Sequence, residues 1–121
     1  MKGLVVRGEG LGRKLGFPTA NIKPLAGRPP ARGVYAVLVL GRRFPAGALG
    51  ACNVGVRPTV GGRRLVVEAH IPGFKGDLYG KRLKLIFLKR LRPEKRFPNL
   101  AALKAQMRRD VRVVRSLAPS S

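Results

Sequence analysis

Gly33-Val34-Tyr35-Ala36-Val37-Leu38-Val39-Leu40-Gly41 is the stretch that decides the fold. It is apolar throughout residues 34–40, partly β-branched, and bounded by glycine at each end. Such a run is too short for a stable helix, and its continuous apolar character suits a buried strand. Downstream, residues 46–54 and 64–71 are two further candidate strands, separated by a loop holding Pro58, Gly61 and Gly62. Residues 82–88 alternate, with Leu83, Leu85 and Phe87 on one face and Lys84, Ile86 and Leu88 on the other. Upstream, a brief apolar run from Leu4 enters a glycine-dense loop, and Pro24, Pro29 and Pro30 mark a second irregular stretch. Turn signals at this spacing predict an antiparallel barrel or sandwich and argue against a parallel α/β sheet.

After the last strand the period changes. Leu100, Leu103, Met107, Val111 and Val114 recur at three and four residues, which places them on one face of a helix. Asn99 supplies an N-cap, with Pro98 just outside it. Lys104, Arg108, Arg109, Arg112 and Arg115 fall on the opposite face, and Asp110 has Arg109 beside it for a local ion pair. No repeat or linker interrupts the chain, so one domain over residues 1–117 is expected, with residues 118–121 as a frayed tail.

Composition bounds the function. The chain has 121 residues, 26 Lys+Arg against 5 Asp+Glu, and a net charge of +21. At 45% hydrophobic it has the material for a core, which argues against disorder. Cys52 stands alone, so an intrachain disulfide is excluded, and one His with one Cys makes no protein-only zinc site. No stretch is long and apolar enough to span a bilayer, and the N-terminal apolar run is too short for a signal peptide. A cytoplasmic, monomeric protein without membrane contact is expected. The charge favours polyanions, either nucleic acid or nucleotides. The 5 Phe and 2 Tyr are scattered and offer no stacking platform. A basic RNA-associated β-barrel is therefore the alternative function, supported by charge alone.

Glu68 interrupts an apolar strand, Leu65-Val66-Val67-Glu68-Ala69-His70, where β propensity disfavours glutamate. Alternation puts Glu68 and His70 on one face. The carboxylate is either a base for proton transfer or an exposed strand-face acid paired with one of many cations. Glu94 and Asp77 read as turn chemistry. The glycine loop matches neither a Walker-type phosphate loop nor a dinucleotide fingerprint, but its backbone can approach an anion closely, with Arg13 and Lys14 adding charge. Thr19 and Asn21 face the same side of an extended segment and offer two hard oxygen ligands of the kind Mg²⁺ accepts alongside phosphates and water.

Together these motifs resemble a known family. Gly8-Glu9-Gly10-Leu11-Gly12-Arg13 runs through Leu15-Gly16-Phe17-Pro18-Thr19-Ala20-Asn21. Then follow Asn53-Val54-Gly55-Val56-Arg57-Pro58-Thr59, Val67-Glu68-Ala69-His70-Ile71, Asp77-Leu78-Tyr79-Gly80 and Leu91-Arg92-Pro93-Glu94-Lys95-Arg96-Phe97. In this order, over residues 4–115, the set resembles the riboflavin kinases (flavokinases), and is similar to the C-terminal kinase domain of bacterial bifunctional riboflavin kinase/FAD synthetases. The resemblance implies a mainly β fold, a six-stranded antiparallel Greek-key β-barrel with a C-terminal α-helix. It implies transfer of the γ-phosphate of ATP to the 5′-hydroxyl of riboflavin, giving FMN, with Mg²⁺ entering as Mg-ATP. Glu68 corresponds to the catalytic base, and Thr19 and Asn21 to the residues that hold Mg²⁺ and the ATP phosphates. Gly8 and Arg13 would meet the nucleotide phosphates, Ile71 and Tyr79 its base and sugar, and Arg92, Lys95 and Phe97 the flavin. Leu11 and Pro72-Gly73 depart from the residues most members carry there. No His-x-Gly-His motif of the adenylyltransferase half occurs, so FAD synthesis is not expected. Nucleic acid would then bind only nonspecifically through charge.

Overall fold

The computed structural model describes residues 1–8 and 16–118. Six strands, β1 (Lys2–Val6), β2 (Ala20–Ala26), β3 (Gly33–Gly41), β4 (Phe44–Thr59), β5 (Gly62–His70) and β6 (Arg82–Arg92), close into an antiparallel barrel in the order β1-β2-β5-β4-β3-β6. Two-residue turns join β3 to β4 and β4 to β5, since Gly41 pairs with Phe44 and Thr59 with Gly62. β6 then returns to lie beside β3, which makes the strand path a Greek key. β1 sits between β2 and β6 and closes the circle, so no long sheet edge is left open.

The barrel interior is filled by inward positions of every strand, among them Val5, Ile22, Tyr35, Val37, Val39, Val54, Val67, Ala69, Leu83 and Leu85. The alternation expected in β6 holds, with Leu83 and Leu85 buried and Lys84, Ile86 and Leu88 exposed. Three expectations need correction. The stretch around Pro24 is a strand, not irregular. Proline is tolerated because β2 pairs with β5 only at Ala20 and Asn21. The β1–β2 register also slips beside it, leaving Leu25 as an extra residue. The missing N–H therefore breaks no two-sided ladder. β4 also runs on to Thr59, and β6 to Arg92, beyond the strand ends expected from apolar pattern. In both cases backbone pairing continues through charged, outward residues, which hydropathy does not register.

Helix α1 (Leu100–Ser116) is capped as expected: Asn99 Oδ1 accepts from the Ala102 N–H at 2.8 Å. It packs on the outside of the barrel, chiefly over β4. Its buried residues, however, are Gln106, Asp110 and Val114. Of the apolar face expected to be covered, Leu100 is 57% exposed and Leu103, Met107 and Val111 line a cavity. Asp110 likewise makes no local pair with Arg109. Arg92 Nη2 on β6 donates to Asp110 Oδ2 at 2.9 Å and Arg92 Nε to Oδ1 at 3.1 Å. Gln106 Nε2 donates to Asp110 Oδ1 at 3.0 Å, and Arg109 turns to Gln106 instead. The helix is thus fastened to the barrel by a buried polar seam. None of the described helices is long and apolar enough to cross a membrane.

Candidate functional site

One transverse row of the sheet builds the centre of the site. Asn21 of β2 is paired with Glu68 of β5, Glu68 with Asn53 of β4, Asn53 with Val34 of β3, and Val34 with Arg92 of β6. Directly opposed residues project to the same face. The adjacent row, Ala69, Cys52 and Tyr35, belongs to the core. Asn21, Glu68, Asn53, Val34 and Arg92 therefore point outward. A strand-borne row of this kind holds its side chains on a rigid scaffold.

Two cavities open over this surface and share Thr19 and Asn21. The larger, about 900 Å³, lies between the barrel and α1. Glu68, Asn53, Arg92, Lys95 and Phe97 line it together with the helix residues Leu103, Met107 and Val111. The smaller, about 590 Å³, is lined by Arg7, Gly8, Ile71, Phe74, Asp77 and Tyr79, among others. All the site residues expected from sequence fall on one cavity or both, except Arg13, which lies outside the described residues.

In the shared wall, Gly8 is required by close approach: a Cβ there would land on the Asn21 carboxamide. Thr19 is steadied from behind. His70 Nδ1 lies 2.8 Å from the Pro18 carbonyl, which can only accept, so Nδ1 carries the proton. The Phe17 ring meets the His70 ring edge-on at 5.5 Å. His70, whose place beside Glu68 the alternation predicted, thus fixes the Phe17-Pro18-Thr19 segment.

Glu68 Oε1 accepts from Arg57 Nη2 at 3.4 Å, a partly solvated pair that leaves the carboxylate open to the larger cavity. Beneath the row, burial pushes the Cys52 thiol up to about 12, with the nearby Glu68 charge adding to the rise. At the far end of the same cavity, Arg92 and Lys95 both sit over the Phe97 ring, at 5.7 and 5.3 Å from its centre. Arg92 has little hydrogen-bonding capacity to spare, since its third nitrogen donates to the Pro93 carbonyl. Glu94, expected to do turn chemistry, reaches instead across to Arg32 Nη2 at 3.0 Å, and its carboxylate packs where a Cβ on Gly55 would stand. Asp77 does make a turn: its Oδ1 accepts from the Tyr79 N–H at 2.8 Å. Tyr79 is half exposed at the mouth of the smaller cavity, with the Arg7 guanidinium 4.4 Å from its ring centre.

Sequence reasoning assigned no role to Arg57, Asn53, Asp110 or the cavity face of the helix. Asn53 carried a usable signal, a carboxamide inside the apolar run Ala51-Cys52-Asn53-Val54, of the same kind that singled out Glu68. Among the described residues no group of three or more His, Cys, Asp and Glu is placed to hold a metal.

The family model for flavokinase, described as riboflavin kinase, matches residues 1–118. The bifunctional riboflavin kinase/FMN adenylyltransferase of Escherichia coli (strain K12) is 44% identical over 113 residues, which cover 91% of this chain and 35% of that protein. The protein of the same name from Pseudomonas fluorescens is 44% identical over 122 residues, covering 98% of this chain and 38% of its own. An RNA-binding riboflavin kinase of Bacillus subtilis is 40% identical over 93% of this chain and 48% of its own. This chain thus spans little more than a third of the length of the bifunctional relatives. Among solved structures, one described as a macrolide-efflux protein from Streptococcus pneumoniae superposes with a TM-score of 0.88 at 33% identity, covering 97% of this chain and 38% of that one.

Proposed function

Because this chain belongs to the flavokinase family, we propose that it transfers the γ-phosphate of ATP to the 5′-hydroxyl of riboflavin, yielding FMN and ADP. The observation that carries this reading is the pair of cavities joined at Thr19 and Asn21, with Glu68 beside the joint on the larger side only. The smaller cavity takes the nucleotide, with Ile71 and Tyr79 against base and sugar and Gly8 at the phosphates; Arg13 belongs to the same group by motif. The larger takes riboflavin, its flat ring against Phe97 with Lys95 and Arg92 at its edge. Asp110 holds Arg92 in that position, which makes Arg92 a fixed wall and not a searching cation.

In the transfer, Glu68 accepts the proton of the 5′-hydroxyl as that oxygen bonds to the γ-phosphorus. The bond from the γ-phosphorus to the β–γ bridging oxygen breaks, and ADP leaves with that electron pair. Such reactions ask mainly for positioning and charge stabilisation. A base placed this way contributes about 10²–10⁴-fold in rate.

Thr19 and Asn21 fit a magnesium ion. Both present neutral oxygens to the shared wall, and the missing Cβ of Gly8 leaves the Asn21 carboxamide its place. Bound with ATP, the ion neutralises phosphate charge, and phosphate and water oxygens complete its shell. The absence of a carboxylate cage among the described residues agrees with that division. Transfer of AMP onto FMN, the second activity in the relatives' names, is not proposed for this stretch of chain. A cytoplasmic monomer comprising one domain over residues 1–117, touching nucleic acid only nonspecifically, completes the reading.

Incubating the folded protein with riboflavin and Mg-ATP, then separating flavins by chromatography, tests it. FMN is the expected product; its absence overturns the assignment.

A further inference from the structure

Asn53 Oδ1 is the one buried side-chain oxygen or nitrogen among the described residues that has no hydrogen-bond partner. Leaving such an atom unpaired costs about 1–3 kcal/mol. Its neighbours across the sheet do not supply a donor: Glu68, when ionised, only accepts, and Val34 is apolar. The missing donor has to come from outside the chain.

The row of opposed residues says which donor. Asn21 stands on one side of Glu68 and Asn53 on the other. Asn21 lines both cavities, whereas Asn53 lines only the larger. Asn53 is therefore on the side away from the phosphates. Beyond it come Val34 and Arg92, and Phe97 lies against Arg92. With neighbouring strands about 4.8 Å apart, Glu68 and Arg92 are separated by roughly 14 Å along the row. A riboflavin with its 5′-hydroxyl at Glu68 and its ring at Phe97 must lay its ribityl chain across Asn53.

Resting on the riboflavin kinase reading, we propose that Asn53 Oδ1 accepts a hydrogen bond from a ribityl hydroxyl and so selects a polyol-bearing flavin over the bare ring. A site built to pair with a substrate hydroxyl rejects the analogue lacking it far more strongly than an apolar pocket rejects a missing methylene.

Asn53→Val and Asn53→Thr test this as a pair. Both are β-branched and suit a strand, and they differ only by a methyl in place of a hydroxyl. Affinities for riboflavin and for lumiflavin, which carries a methyl where riboflavin has its ribityl chain, are read from quenching of flavin fluorescence. In the valine variant riboflavin affinity should fall by about tenfold or more while lumiflavin affinity stays as in the parent protein. The threonine variant should keep part of the preference for riboflavin. Equal preference in the two variants, or parallel loss of both flavins, overturns the proposal. FMN formation by the parent protein is scored separately. No FMN with the riboflavin preference intact would sink the kinase reading alone, and FMN formation with the preference unchanged in Asn53→Val would sink the hydroxyl contact alone.

Discussion

Glu68 owes its proposed role to the neighbours β5 gives it: a carboxamide on each flanking strand, one toward the phosphates and one toward the flavin. Glu68→Gln keeps the shape and removes the basicity. Its kcat should drop by about 10²–10⁴-fold while riboflavin affinity, measured by fluorescence quenching, stays within a factor of about two. A variant that turns over at the parent rate would remove Glu68 from the chemistry. One strand away, Cys52 gives a second residue-level expectation. Its thiol is raised from 9.0 to about 12 by burial first and the Glu68 charge second. The folded state therefore holds the proton longer than the unfolded chain. The resulting stability is full below pH 9 and is lost as pH rises toward 12, where both states are ionised. At pH 8 iodoacetamide should leave Cys52 unmodified in the native protein and alkylate it in urea, as mass spectrometry would show. Residues of this kind were legible in unequal measure. Glu68, Thr19 and Asn21 stood out because polar groups at those points break a local pattern. The orphaned oxygen of Asn53 did not, because whether a polar atom finds a partner depends on the neighbouring strands.

At the scale of the element, α1 inverts the usual division of labour. Its polar residues Gln106 and Asp110 are buried, and its apolar Leu103, Met107 and Val111 border a cavity. Periodicity correctly announced a helix and its cap, since both are local properties. It misassigned the buried face because a ligand cavity and a protein core look alike to hydropathy. The seam that fastens the helix is the bidentate Arg92–Asp110 pair, whose side chains are 18% and 9% exposed. Removing one partner of such a pair strands the other, at about 3 kcal/mol. Asp110→Ala should therefore lower the urea midpoint by that equivalent. It should also raise the KM for riboflavin more than that for ATP, because the helix borders only the larger cavity. Equal effects on both substrates would mean that the helix does not shape the flavin side.

For the whole molecule, the charge of +21 has few internal uses. Among the described residues, Glu68, Glu94 and Asp110 are each taken up by an arginine, and Asp77 is held in its own turn. The remaining cations face water and draw in anions generally. Binding to duplex RNA of arbitrary sequence should weaken linearly in log–log fashion as salt rises, the signature of counterion release. Sequence-specific RNA affinity that persists at about 0.15 M salt would instead revive the RNA-associated alternative. The barrel was readable at this scale because glycine- and proline-marked turns segment the chain at strand spacing. The closing pairs β1–β6 and β2–β5 were not, since they join residues far apart in sequence and one partner carries Pro24. The shared wall at Thr19 and Asn21 has a consequence for inhibitor design. A flavin tethered to a nucleotide through a phosphate-length linker would engage both recesses as one ligand. Its second half would bind at an effective concentration in the millimolar range or above, so two weak fragments would add up to one tight compound.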